Sequence, residues 1–451
     1  MSNFPKDFIW GAASSAYQIE GFSTEDGGGA SIWDTFSHTP GKIAYGDHGD
    51  IACDAYHRYE EDIALLEALG VKAYRFSTSW ARIDPKGDGN WNPAGVAYYD
   101  RLVDACLQKG IEPYMTLYHW ELPQACEDRG GWREEETAHA FGRFAGFMAG
   151  HFKGRVKHYF TLNEPQCTTS LGYQQGIHAP GLLLELPDVF RVHVHQMIAH
   201  GLAQRAIKEI DPAAVVGIAS TGNLCYPETE ADVAAARSAT FARAEDFWVF
   251  THHWLLDPIV LGRFPECAGT ALEPLAASVT AQQMALIHTV PDMLGFNVYN
   301  GHGVRRVGQG FEQVPKYAGF PRTGLKWPVT PQVLGWGMKF LHERYNLPMF
   351  ITENGLSCND RIYLDGKVHD LDRIDFLVRY LDCLHEAMEL GADIRGYFHW
   401  SLTDNFEWHS GYGDRFGLVY MDYPNLRRIP KDSFRWYKDV IRTGEVAFPL
   451  K

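Results

Sequence analysis

Lys157-His158-Tyr159-Phe160-Thr161-Leu162-Asn163-Glu164-Pro165 is an aromatic and aliphatic run that ends on an amide, a carboxylate and a proline. The first part suits a strand, and the proline, which has no N–H for a ladder, suits its end. Seven other stretches share this short apolar character: Phe8–Ala13, Ala73–Ser77, Ile111–Leu117, Val215–Ser220, Met293–Tyr299, Met349–Asn354 and Gly396–Leu402. Between them lie amphipathic stretches of helical period: Asp54–Leu69, Pro93–Lys109, Glu134–Phe152, Val189–Ile210, Pro331–Tyr345 and Leu371–Leu390. Gly70, Gly110, Gly154, Pro212 and Gly391 close several of these. Eight strand-like runs alternating with helices predict parallel βα units, and eight such units close on themselves. The expected fold class is α/β: a single (β/α)8 TIM barrel with elaborated βα loops, one domain over residues 1–451. The intervals from the first run to the second and from the fifth to the sixth far exceed the roughly 30 residues of a minimal unit, so insertions are expected there. No Ser/Pro/Gly-rich linker divides the chain.

Composition narrows the function classes. A chain of 451 residues, 45% hydrophobic and 22% charged, has core enough to fold without a disulfide or a metal, and is neither disordered nor a coiled coil. Its net charge of −15 repels phosphate backbones, which argues against nucleic acid as a partner. No apolar run reaches the roughly 18 residues of a membrane span, and the start has no basic segment leading into an apolar one. The eight cysteines are scattered without a CxxC pair and read as buried thiols in a reducing compartment, so a cytoplasmic location is expected. Aromatic residues make up 14%, which serves a core and also supplies flat platforms for pyranose faces.

The chemistry is written where the runs end. The fourth ends at Asn163-Glu164, the seventh at Glu353-Asn354, the third at His119-Trp120, the sixth at Asn297 and Tyr299, and the eighth at His399-Trp400. Polar side chains at the C-terminal ends of barrel strands point into the mouth, so two glutamates from strands four and seven are expected to face each other. Two carboxylates bracketing a bond are the minimum equipment for cleaving a glycoside: one protonates the leaving oxygen while the other attacks or activates water.

Several segments resemble glycoside hydrolase family 1, in the family's order and over nearly the whole chain. They are FIWGAASSAYQIEG at 8–21, YRFSTSWARI at 74–83, YHWELP at 118–123, TLNEP at 161–165, KWPVTP at 326–331, ITENG at 351–355 and SLTDNFEW at 401–408. The resemblance implies a retaining exo-β-glycosidase, foremost a β-glucosidase with β-galactosidase or β-fucosidase as further options. Small β-glycosides or oligosaccharides would be its partners, with no cofactor and no metal, and the choice between monomer and homo-oligomer stays open. It places Glu164 as acid/base, Glu353 as nucleophile, and Arg75 and Tyr299 beside the nucleophile. Gln18, His119, Trp120, Asn163, Asn297, Glu407 and Trp408 are placed around the sugar, Trp400 beneath its ring, and Trp327 on the aglycone side. A nucleophile wants cationic neighbours that lower its pKa, whereas the acid wants burial and a nearby negative charge. After Glu164-Pro165 many bacterial members carry Trp; Gln166 here is expected either to shape the leaving-group side near Trp327 and Leu171 or merely to support its loop.

Other readings fare worse. His193, His195 and His200 look like a metal cluster, but residues two apart on a helix diverge. Asp50, Asp54 and His57 fall at i, i+4, i+7 and read as one helix face with ordinary hydrogen bonds. Gly27-Gly28-Gly29 lacks the frame of a phosphate loop, and neither a nucleophile elbow nor a dinucleotide fingerprint is present. Glu407 argues against a 6-phosphoglycosidase, and retention of both glutamates argues against a myrosinase or a non-catalytic sugar-binding protein.

Overall fold

The computed structural model describes residues 2–242 and 247–448. Its centre is a closed barrel of eight parallel strands: β1 (Ile9–Ala13), β2 (Ala73–Ser77), β3 (Glu112–Tyr118), β4 (His158–Asn163), β5 (Val215–Ser220), β6 (Met293–Asn297), β7 (Met349–Asn354) and β8 (Ile394–Trp400). They pair in sequence order, and β8 closes on β1 with Trp400 beside Ala13. All eight expected runs are strands, displaced by at most two residues at their ends, where fraying sets the limit.

Each strand is followed by a helix: α1 (Ala55–Leu69), α2 (Pro93–Gln108), α3 (Glu135–Phe152), α4 (Leu186–Ile210), α5 (Ala281–Ile287), α6 (Gln332–Tyr345), α7 (Leu371–Glu389) and α8 (Asp432–Thr443). Local chemistry sets their limits. Asn92 accepts from the Ala94 N–H, with Pro93 in the first turn, to open α2, and Gly70, at φ 86°, closes α1 in the left-handed conformation that lacks a Cβ penalty. The two expected insertions are present. A third was missed: after β6, His302–Val307 pairs on one side with Gly310–Gln313 and on the other with Cys225–Pro227 of the insertion after β5. These pieces are too short to carry a periodic signal.

The barrel interior is packed solid below its mouth. Tyr114, Phe160, Met293, Phe350 and Phe398 meet there from five strands. A methyl group on Gly11 would lie 2.4 Å from the Phe398 ring, so β1 must run bare where that ring crosses. This apolar plug is the floor on which the polar mouth stands. Its topmost link is the Arg75 guanidinium, 5.5 Å above the centre of the Phe160 ring.

Two expectations about decoys resolve differently. His193, His195 and His200 bond separately to the Trp254 carbonyl, the Trp132 carbonyl and the Thr161 hydroxyl, as divergent helix positions must. Asp50, Asp54 and His57 do not share a helix face: α1 begins only at Ala55, and Asp54 sits at φ 52°. His57 bonds Asp54, while Asp50 turns away to His38 and His48.

Candidate active site

The C-terminal ends of the strands surround a cavity of about 480 Å³. Glu164 and Glu353 reach it from β4 and β7, and both strands lose regular register there, between Phe160 and Asn163 and between Ile351 and Asn354. Such irregularities re-aim a side chain at a sheet's rim. Three lining residues that are not glycine, Trp120, Glu164 and Trp408, hold positive φ angles of 77°, 44° and 50°. Each costs about 1–3 kcal/mol, supplied by the surrounding packing.

Glu353 is held from two sides. Arg75 Nη1 donates to its Oε1 at 2.7 Å and the Tyr299 hydroxyl donates to Oε2 at 2.8 Å. Arg75 Nη2 also donates to Asn163 Oδ1 at 2.6 Å, so one buried guanidinium ties β2, β4 and β7 together. Asn297 Nδ2 bridges Asn163 Oδ1 at 3.0 Å and Glu164 Oε1 at 2.7 Å, and its own Oδ1 accepts from Thr352. The second oxygen of Glu164 accepts from the thiol of Cys167 at 3.0 Å.

These environments separate the two acids. Burial, then the negative Glu353, pushes Glu164 up to about 7. Burial lifts Glu353 above the usual carboxylate range too, although the Arg75 charge and the bonds from Arg75 and Tyr299 pull it back. The expected lowering of Glu353 is thus corrected in sign: desolvation outweighs its cationic neighbour. Because Arg75 touches Glu353 and not Glu164, the pair gives up its first proton at Glu353.

The sugar-side residues converge as a set. Asn163 donates to His119 Nε2 at 3.1 Å, which leaves the proton on Nδ1, a buried donor with no protein partner. Burial and Arg75 hold that imidazole neutral. Gln18, in the single helical turn after β1, reaches Glu407 Oε2 at 3.4 Å. The Trp120 indole N–H donates to the Asn163 carbonyl, and its ring lies 4.4 Å from that of Trp408. Trp400 and Trp327 both line the cavity, and Trp327 packs on Tyr299. Burial, Asp414 and the two other glutamates push Glu407 well above the usual carboxylate range.

Gln166 does not line the cavity. It is fully buried and donates to Ser220 Oγ at 2.8 Å, pinning its loop to the end of β5. Cys167 was missed, being counted only as a core thiol. The signal was its position three residues after Glu164, the spacing that stacks side chains on one helical turn.

A barrel whose mouth sets one proton-holding glutamate across from a second, cation-bound one, in a pocket of tryptophans and hydrogen-bond donors, defines an enzyme that hydrolyses glycosides. The profile of glycosyl hydrolase family 1 matches residues 1–446. The chain belongs to that family. It is 40% identical to beta-glucosidase A of Thermotoga maritima over 98% of this chain and 99% of that one. It is 41% identical to a bifunctional beta-D-glucosidase/beta-D-fucosidase of Bifidobacterium breve over 97% and 98%. The structure of a Thermotoga maritima beta-glucosidase in complex with deoxynojirimycin superposes with a TM-score of 0.89 at 39% identity, covering 99% of this chain and all of that one.

Proposed function

We propose that the protein is a retaining exo-β-glucosidase and that the observation carrying this is the unequal pair: Glu353 clamped by Arg75 and Tyr299, Glu164 held near neutrality by burial. Glu353 attacks the anomeric carbon while Glu164 passes its proton to the leaving oxygen. Forming the glycosyl ester removes the charge on Glu353 that had raised Glu164. Glu164 then ionises more readily and deprotonates the water that releases the sugar. Carboxyl groups working this way stand about 5–5.5 Å apart.

Asn163, Asn297, His119, Gln18 and Glu407 hold the glycone hydroxyls, Trp400, Trp408 and Trp120 wall the ring, and Trp327 receives the aglycone. Among the described residues the cavity lining includes no lysine or arginine, so a phosphorylated sugar would find no cationic partner there. The two relatives' names support glucosides first and β-D-fucosides second. Among the described residues no helix is long and apolar enough to cross a membrane.

Proton NMR of the first product anomer from an aryl β-glucoside is the test. Initial β-glucose is expected; initial α-glucose would mean a single inverting displacement and end this reading.

A further inference from the structure

We infer that His38, His48 and Asp50 form a surface site for one divalent transition ion of zinc-like chemistry, on the long connection between β1 and α1. Asp50 Oδ2 lies 3.2 Å from His38 Nε2, and Asp50 Oδ1 lies 3.2 Å from His48 Nδ1. The three ligand atoms all fall within 4.8 Å of one another. A tetrahedral zinc with ligands at about 2.0–2.2 Å has ligand–ligand edges of about 3.3–3.5 Å; each imidazole nitrogen lies about one such edge from its own oxygen of Asp50, so a small turn of the carboxylate presents one oxygen to an ion held by both rings.

A second observation concerns the proton on His38. Its Nδ1 lies 2.7 Å from the Asp34 carbonyl, which can only accept, so Nδ1 carries the hydrogen. Nε2 therefore faces a carboxylate oxygen with a lone pair unless a second proton sits there. A metal ion placed between the two lone pairs takes the position that proton would otherwise hold. The same carbonyl bond orients the ring as hydrogen-bonded imidazoles are oriented at metal centres.

The ligands sit on a braced segment. The Tyr412 N–H donates to Asp47 Oδ2 at 2.9 Å, the Tyr412 hydroxyl donates to the His48 carbonyl at 2.8 Å, and the Phe22 N–H donates to the Asp50 carbonyl at 2.7 Å. The side chains are 51%, 45% and 46% exposed, leaving the fourth position to water. Two imidazoles and one carboxylate favour zinc, copper or nickel over magnesium or calcium.

Calorimetric titration of the untagged full-length protein with zinc chloride at neutral pH tests the site. One zinc per chain is expected, with magnesium chloride giving no heat of binding. His38→Ala and His48→Ala should each weaken zinc binding by at least about tenfold, the loss that even a hydrogen-bond partner of a ligand produces. Zinc should raise the melting temperature of the native protein and leave those of the variants unmoved. These exposed residues lie outside the glycosidase machinery, so aryl-glucoside turnover in metal-free buffer should be unchanged. No zinc uptake by the native protein, or equal uptake by the variants, would overturn the site.

Discussion

Glu164 accepts one hydrogen bond from an amide and one from a thiol, and the second is the unusual partner. Burial keeps the Cys167 thiol protonated, so it donates to the ionised form of Glu164 and favours that form. Activity requires Glu164 protonated and Glu353 ionised. It should fall as pH rises through about 7, the alkaline limb reporting Glu164. Cys167→Ala removes a donor to the charged form, so that limb should move up by roughly half a pH unit, under about 1 kcal/mol. Cys167→Ser keeps a donor and should restore the native profile of kcat/KM against pH. If both variants share the native profile, the thiol does not tune the acid. Glu164→Ala should slow glycosides with poor leaving groups about 10²–10⁴-fold more than dinitrophenyl glycosides, whose departure needs little protonation. Comparing kcat/KM for the two substrate types measures this gap, and equal losses would deny Glu164 the acid role.

At the scale of elements, the turn after β4 divides its labour: Glu164 faces the cavity, Cys167 braces it, and Gln166 points into the protein. An indole in place of Gln166 must enter a full space and abandon Ser220, so Gln166→Trp should destabilise by about 1–3 kcal/mol, read from urea unfolding. Unchanged stability with an altered ratio of cellobiose to aryl-glucoside turnover would return Gln166 to the leaving-group side. The same turn shows what a one-dimensional reading can deliver. Asn163-Glu164 and Glu353-Asn354 were legible because short continuous apolar runs announce buried parallel strands, and strand ends in a barrel share one mouth. The aim of Gln166 was not legible, because it depends on the loss of register before Asn163 and on the positive φ of Glu164. Neither leaves a mark in residue order. The sign of Glu353's shift failed for a related reason: Arg75 can be guessed as a neighbour, but the depth of burial around it cannot. The pairing of His302–Val307 with Cys225–Pro227 joins insertions far apart in the chain, beyond the reach of local pattern.

For the molecule as a whole, the loop that presents Glu407 is anchored by buried charge. Asp404 accepts from Lys431 Nζ at 2.7 Å, from Arg415 Nη1 at 2.8 Å and from the Gly417 N–H at 3.0 Å. Lys431 also bonds Asp360, which bonds Arg373 on α7. This network joins the β8 loop, the start of α7 and the start of α8. Asp404→Ala leaves the half-buried Arg415 without a carboxylate and buried Lys431 with Asp360 alone, and should cost about 3–5 kcal/mol, measured by chemical denaturation. A loss below about 1 kcal/mol would show that water readily replaces the carboxylate there.

Far from the mouth, Ser2–Asn3 and Glu445–Val446 form a short antiparallel pair, and Phe4 N–H donates to the Gly444 carbonyl. The eight βα units thus form a ring whose opening between α8 and β1 is a matter of numbering more than of architecture. A short peptide bridging that pair would make the backbone continuous around the barrel. New ends could then be cut at an exposed loop on the face opposite the cavity without separating Glu164 from Glu353. In this fold the order of synthesis and the order of assembly around the axis are separable, and the chemistry depends only on the second.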